Sequence, residues 1–155
     1  MSDIDALHRI LSNYECVAVV GLSTDPSRAS NRVAKYLLDK GFDVIPVNPK
    51  YDEVLGRTCY PDLHAIPKPV EIVNLFQRSE RVPPFVDAAI DIRAKVVWMQ
   101  LDIVHDESAE KARAAGLEVV MDRCIKIEYA RLFDGLDAAG DALDQKNKKG
   151  PRTGI

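Results

Sequence analysis

Five short runs of apolar residues recur along the chain, at 16–21, 44–47, 70–75, 96–99 and 117–121, and most are close to unbroken by polar positions. A strand with one wet face alternates apolar and polar residues. A continuous run rich in β-branched side chains is instead the pattern of a parallel strand covered on both faces. Glu71 and Asn74 interrupt the third run, and Pro46 inside the second predicts a strand that pairs imperfectly on one side. Between the runs the period changes to that of helices. Residues 3–13 place Ile4, Leu7, Ile10 and Leu11 on one face, with Ser2 available as N-cap. In 30–40 the stripe is Val33, Ala34, Leu37 and Leu38, with Ser30 to cap its start and Gly41 to end it. In 82–93 it is Phe85, Val86, Ala89 and Ile90, with Pro83 and Pro84 accommodated in the first turn. A further helix is predicted over 106–115, capped by Asp106 and stopped by Gly116, and another over 125–133, sending Ile125, Leu132 and Phe133 to the core. The stretch 51–69, with Gly56, Pro61, Pro67 and Pro69, predicts an irregular crossover holding at most a short helix.

Strands alternating with helices predict an α/β fold: a single Rossmann-like, doubly wound, mainly parallel five-stranded sheet with helices on both faces. In such sheets ligands lie beyond the carboxyl ends of the strands, at the switch point beside the first strand. The predicted domain spans 1–134, and from 135 to 155 the pattern dissolves into Gly, Asp, Lys and Gln, which predicts a disordered tail. With 155 residues and 46% apolar content the chain has the material for one core and no room for a second domain. Its 21 basic and 24 acidic residues nearly balance, so neither nucleic acid nor an anionic membrane is an expected partner, and local charge must carry any anion binding. An acidic N-terminus and the lack of a membrane-length apolar stretch point to the cytoplasm. Cys16, Cys59 and Cys124 are widely spaced and odd in number, which fits a reducing compartment and neither a disulfide framework nor a zinc motif.

The candidate chemistry clusters at predicted strand ends. The first run closes on Gly21, and the polar loop from Ser23 to Arg28 leads to the next helix. A strand, a tight turn and a helix start present backbone N–H groups to a phosphate; Ser23 and Ser30 add hydroxyls and Arg28 a bidentate cation. A full G-x-G-x-x-G is missing, because Ser23 and Pro26 stand where its later glycines would. The second run ends in Val47-Asn48-Pro49-Lys50, where an NAD site would carry Asp or Glu for the ribose 2′-hydroxyl. A cation there suits a ribose bearing an extra phosphate, as in coenzyme A or NADP. Phe76 and Arg78 after the third run, and Gln100 after the fourth, could wall a nucleotide pocket. His8, His64 and His105 have no metal-ligand spacing and yield no catalytic triad, and Asp102 with His105 reads as turn and capping chemistry. The reading favours a binding module over an enzyme.

Several segments together resemble the small stand-alone CoA-binding domain proteins, similar in fold to the N-terminal CoA-binding domain of the succinyl-CoA synthetase α subunit. They are Val19-Val20-Gly21-Leu22-Ser23, Pro26 to Arg28, Ser30-Asn31-Arg32-Val33-Ala34, the stretch from Val44 to Lys50, Gly56, Tyr60-Pro61, Ile72-Val73, Phe76, Val97-Trp98-Met99-Gln100 and the stretch from Met121 to Glu128. The resemblance runs from about 16 to 133. It implies coenzyme A laid across the strand ends, with the phosphates near 21–28 and the adenosine end near 48–50. The residues it carries over are Gly21, Ser23, Arg28, Asn48, Pro49 and Lys50, followed by Phe76, Arg78 and Gln100. Two positions depart from the family's habit: Gln77 stands where a second arginine is common, and Asp102 where glycine is common. The synthetase's phosphohistidine belongs to a further domain, so ligase chemistry is not implied. The expected function is therefore binding of coenzyme A or an acyl-CoA by a non-catalytic or regulatory module. The alternatives are an NADP-linked oxidoreductase and a redox scaffold in which Cys124 forms a mixed disulfide with coenzyme A.

Overall fold

A computed structural model describes residues 3–135. Helix α1 (Asp3–Asn13) precedes strand β1 (Cys16–Val20), followed by α2 (Ala29–Asp39) and β2 (Asp43–Val47). A small hairpin, β3 (Glu53–Val54) and β4 (Arg57–Thr58), and a tight turn at Leu63–Ala65 fill the crossover to β5 (Ile72–Leu75). A second tight turn, Ser79–Arg81, runs directly into α3 (Val82–Asp91), and β6 (Val96–Met99), α4 (Asp106–Ala114), β7 (Glu118–Val120) and α5 (Ile125–Tyr129) complete the alternation. The main sheet has the order β2-β1-β5-β6-β7, and every pairing within it is parallel. Chain direction across the sheet reverses between β1 and β5, which fixes the switch point there.

The unbroken apolar runs are explained by two cores. Val17, Val19, Ile72, Val96 and Trp98 pack with Leu7, Leu11, Val33, Leu37 and Ile125 from α1, α2 and α5. Their strand neighbours Ala18, Val20, Val73, Leu75, Val97 and Met99 pack with Val82, Val86, Ala89, Ala109 and Ala112 from α3 and α4. Alternate residues of each strand thus feed opposite layers. Pro46 lies in an edge strand of this sheet; its carbonyl accepts from Tyr60 N–H at 3.0 Å on the outer side, where the lost donor leaves pairing with β1 intact. Glu71 precedes β5 and accepts from the N–H groups of Glu15 and Cys16 at 2.8 and 3.0 Å, tying the start of β1 to that of β5.

Several expectations are corrected at this level. The 51–69 crossover contains the β3–β4 hairpin, because strands of two residues are too short to leave a periodic signal. Arg28, not Ser30, stands at the N-cap of α2, and His105, not Asp106, caps α4 through Nδ1, which accepts from Ser108 N–H at 3.2 Å. The last helix ends at Tyr129 and widens into a π-type turn at Ala130–Asp134. Ser2 and the predicted tail beyond Gly135 lie outside the described residues. Among the described residues no helix is long and apolar enough to cross a membrane.

Asn74 is fully buried between Val19 and Trp98, and neither of its amide atoms has a partner. An unpaired buried amide costs about 1–3 kcal/mol. Asn74→Val is therefore expected to raise unfolding free energy by about 1–2 kcal/mol, read as a higher urea midpoint at unchanged slope. An unchanged or lower midpoint would show that the amide is in use.

Candidate functional site

Gly21 closes β1 at the switch point, and its N–H donates to Val47 C=O at 2.8 Å. Its φ is +87°, and a Cβ there would lie 2.4 Å from Phe76 C=O and 3.0 Å from Gln77 Nε2. Only glycine lets the first loop approach the end of β5 so closely. Beyond it the polar residues hold the backbone to itself. Ser23 N–H donates to Ser30 Oγ at 3.0 Å, and Asn31 Nδ2 donates to Ser23 C=O at 2.9 Å. Asp25 N–H donates to Ser23 Oγ at 3.0 Å, while Ser27 donates both N–H and hydroxyl to Asp25 Oδ1. Those two bonds from Ser27 hold the Asp25 carboxyl below the usual carboxylate range. The Arg32 guanidinium donates to Ser27 C=O. Helix α2 then starts with no side-chain cap. Its first turn, at Ala29 and Ser30, forms part of a cavity wall, so the positive end of the helix dipole faces that space.

The second loop is braced to the first. Asn48 Nδ2 donates to Leu22 C=O at 3.1 Å, and its Oδ1 accepts from Lys50 N–H at 3.0 Å. One amide side chain thereby fixes both the spacing of the loops and the turn that carries Lys50.

Between these loops and the end of β5 lies a cavity of about 670 Å³. Of the nine residues singled out from sequence, Gly21, Ser23, Arg28, Asn48, Lys50, Phe76 and Arg78 line it. Pro49 is exposed in the turn and does not. Gln100 also lies off the cavity: it is buried, and its side-chain carbonyl accepts from Ile125 N–H at 3.0 Å, capping α5. The expectation that Gln100 closes the pocket gives way to this structural role. Ala29, Ser30, Tyr51, Gln77, Arg81 and Ile103 complete the lining. Arg81 was not singled out from sequence; the signal that could have found it is its i, i+3 spacing from Arg78, on one side of a tight turn.

The lining contains Arg28, Lys50, Arg78 and Arg81 and no carboxylate. None of these four side chains has an ion pair or hydrogen bond with another described residue. A second concavity, of about 780 Å³, lies at the opposite end of the sheet around Cys16, Glu71 and Lys95. It is remote from the switch point, so position and charge both favour the first.

The remaining candidates are dispersed. Cys124 sits half-buried at the N-cap of α5, packed against the first core, and does not line the cavity. His8 stacks on Phe133, His64 pairs with Asp91 at 3.0 Å, and His105 is a cap. Among the described residues no group of His, Cys, Asp and Glu could hold a metal ion. Asp102 adopts φ +69°, a left-handed conformation that glycine takes most readily, and its N–H donates to the Asp122 carboxylate at 2.7 Å. The turn after β6 therefore forms despite the departure.

The chain is similar in sequence and in fold to known proteins. A sequence family described as "CoA binding domain" matches residues 15–130. The "Uncharacterized protein YneT" of Bacillus subtilis (strain 168) is 40% identical over 124 residues, covering 80% of this chain and 92% of that protein. The "Acetate--CoA ligase [ADP-forming] I" of Archaeoglobus fulgidus is 37% identical over 119 residues, 70% of this chain but 17% of the ligase. Among solved structures, a "hypothetical protein" from Pyrococcus horikoshii OT3 superposes with a TM-score of 0.82 at 45% identity, covering 84% of this chain and 92% of its own.

Proposed function

Since this chain belongs to the CoA-binding domain family, we propose that it binds coenzyme A or an acyl-CoA in the cavity at the strand ends. The observation that carries the reading is the lining itself, four cations with no ion pair to a described residue and no carboxylate among the lining residues, around a helix start. Coenzyme A carries a diphosphate and a 3′-phosphate, about four negative charges at neutral pH. The diphosphate fits over Gly21, between the uncapped first turn of α2 with Arg28 on one side and the Arg78 and Arg81 pair on the other. The 3′-phosphate then falls to Lys50, held after β2 by Asn48. The carboxyl end of β2, Val47-Asn48-Pro49-Lys50, does not offer the acidic residue that a plain ribose would require.

Three of the uncharged polar side chains that line the cavity are already engaged. Ser23, Ser30 and Asn48 brace the two loops through their own oxygens and nitrogens. Such a site presents a bound ligand rather than reacting with it, which supports a non-catalytic or regulatory module. The same reading places the chain in the cytoplasm, consistent with its unpaired Cys16, Cys59 and Cys124.

Native mass spectrometry of freshly purified protein tests this directly. The expected spectrum shows a non-covalent adduct of coenzyme A or acyl-CoA mass, taken up by stripped protein on adding coenzyme A. Protein that stays bare in excess coenzyme A contradicts the proposal, as does an adduct of NADP mass.

A further inference from the structure

The connection from β6 to α4 places Leu101, Ile103 and Val104 within one short segment at the edge of the cavity. Ile103 lines the cavity, while Leu101 and Val104 are 53% and 41% exposed, two of the three large apolar residues most open to water among those described. The segment is held in place. Ile103 N–H donates to Gln100 C=O at 2.9 Å, Val104 N–H to Ser79 Oγ at 3.0 Å, and Ile103 C=O accepts from Asp122 N–H at 3.2 Å. Two exposed apolar residues that flank a wall residue of a cationic cavity, in a segment held in place, call for an occupant that reaches them from the cavity.

Sheet order says which part of the ligand that is. Lys50 follows β2 and Ile103 follows β6, so they stand at opposite ends of the cavity, separated by three strand spacings, or roughly 14 Å. With the 3′-phosphate at Lys50 and the diphosphate over Gly21, as proposed above, the pantetheine arm leads its sulfur toward Ile103. Charge narrows the chemistry further. The four lining cations match the charge of the phosphates, leaving none for a carboxylate on an acyl group. Past Ile103 the surface offered is Leu101 and Val104.

We infer that the preferred ligand is a coenzyme A thioester with an uncharged, apolar acyl chain, and that the chain lies against Ile103, Leu101 and Val104. The inference rests on the coenzyme A reading and adds to it the substrate class. Free coenzyme A and thioesters of acyl dicarboxylates become the weaker ligands.

Calorimetric titration of the full chain with coenzyme A, acetyl-CoA, hexanoyl-CoA and succinyl-CoA tests it. Full burial of a methylene is worth roughly fourfold in affinity, and a chain covered on one side about half that effect, or twofold per methylene. Hexanoyl-CoA is therefore expected to bind about 15-fold more tightly than acetyl-CoA, with succinyl-CoA no tighter than acetyl-CoA. In a Leu101→Ser, Val104→Ser double variant the chain-length gain should disappear while affinity for coenzyme A itself stays within about twofold. Equal affinity for acetyl and hexanoyl thioesters overturns the inference, as does succinyl-CoA binding tightest or a gain that survives in the double variant. Coenzyme A binding without any chain-length effect overturns this inference alone. Failure of the wild-type chain to bind coenzyme A at all overturns the reading beneath it as well.

Discussion

Gly21→Ala is expected to cost about 2–5 kcal/mol of unfolding free energy and, in the fraction that folds, to weaken coenzyme A binding at least about tenfold. Two effects add. At φ +87° an L side chain is strained, by about 1–3 kcal/mol. The new Cβ would also stand 2.4 Å from the Phe76 carbonyl oxygen, a backbone atom that cannot swing aside as a flexible side chain could. Relief requires the ends of β1 and β5 to separate, and that seam is the switch point over which the diphosphate is placed. Urea denaturation followed by titration of the folded fraction measures both parts. Wild-type stability in the variant would mean that the approach of the two strand ends is looser than 2.4 Å implies.

Lys50→Met is the second large effect, and it separates binding from folding. The Lys50 side chain is exposed and makes no bond to another described residue, so unfolding free energy should stay within about 0.5 kcal/mol of wild type. A charge-assisted contact to phosphate contributes about 1.5–3 kcal/mol, and exposure places this one toward the lower end. Coenzyme A affinity is thus expected to fall about 10- to 30-fold at low ionic strength, with the difference shrinking as salt is added. Unaltered affinity would remove Lys50 from the site. Asn48 is predicted to act through Lys50 rather than beside it, because its oxygen fixes the Lys50 N–H and its nitrogen fixes Leu22.

How much of this was legible in the sequence follows from where each signal resides. The buried strands announced themselves because both faces of β1, β5 and β6 are covered, which leaves apolar runs that need no knowledge of partners. Gly21 could be picked out as a strand-end glycine, but the reason it must be glycine is the Phe76 carbonyl 55 positions further along the chain. Gln100 misled for the same reason. A buried amide needs a partner, as expected, but the partner is the Ile125 N–H on a later helix rather than a ligand. Ser30 looked like a helix cap and instead spends its hydroxyl on Ser23, one turn outside the helix it was expected to start. Arg81 and Ile103 were missed because each reaches the cavity only through the sheet order, which sets the ends of β1, β5 and β6 side by side. The short β3–β4 hairpin left no pattern to read at all.

The most direct measurement is a paired calorimetric titration of the wild-type chain, first with coenzyme A and then with dephospho-CoA, at low ionic strength. Removing the 3′-phosphate deletes from the ligand the same contact that Lys50→Met deletes from the protein. Dephospho-CoA is therefore expected to bind about 10- to 30-fold more weakly than coenzyme A to the wild type, and the Lys50→Met variant to bind both ligands alike. No binding of either ligand, or equal affinity for both in the wild type, would contradict a site built around Gly21, the start of α2 and Lys50.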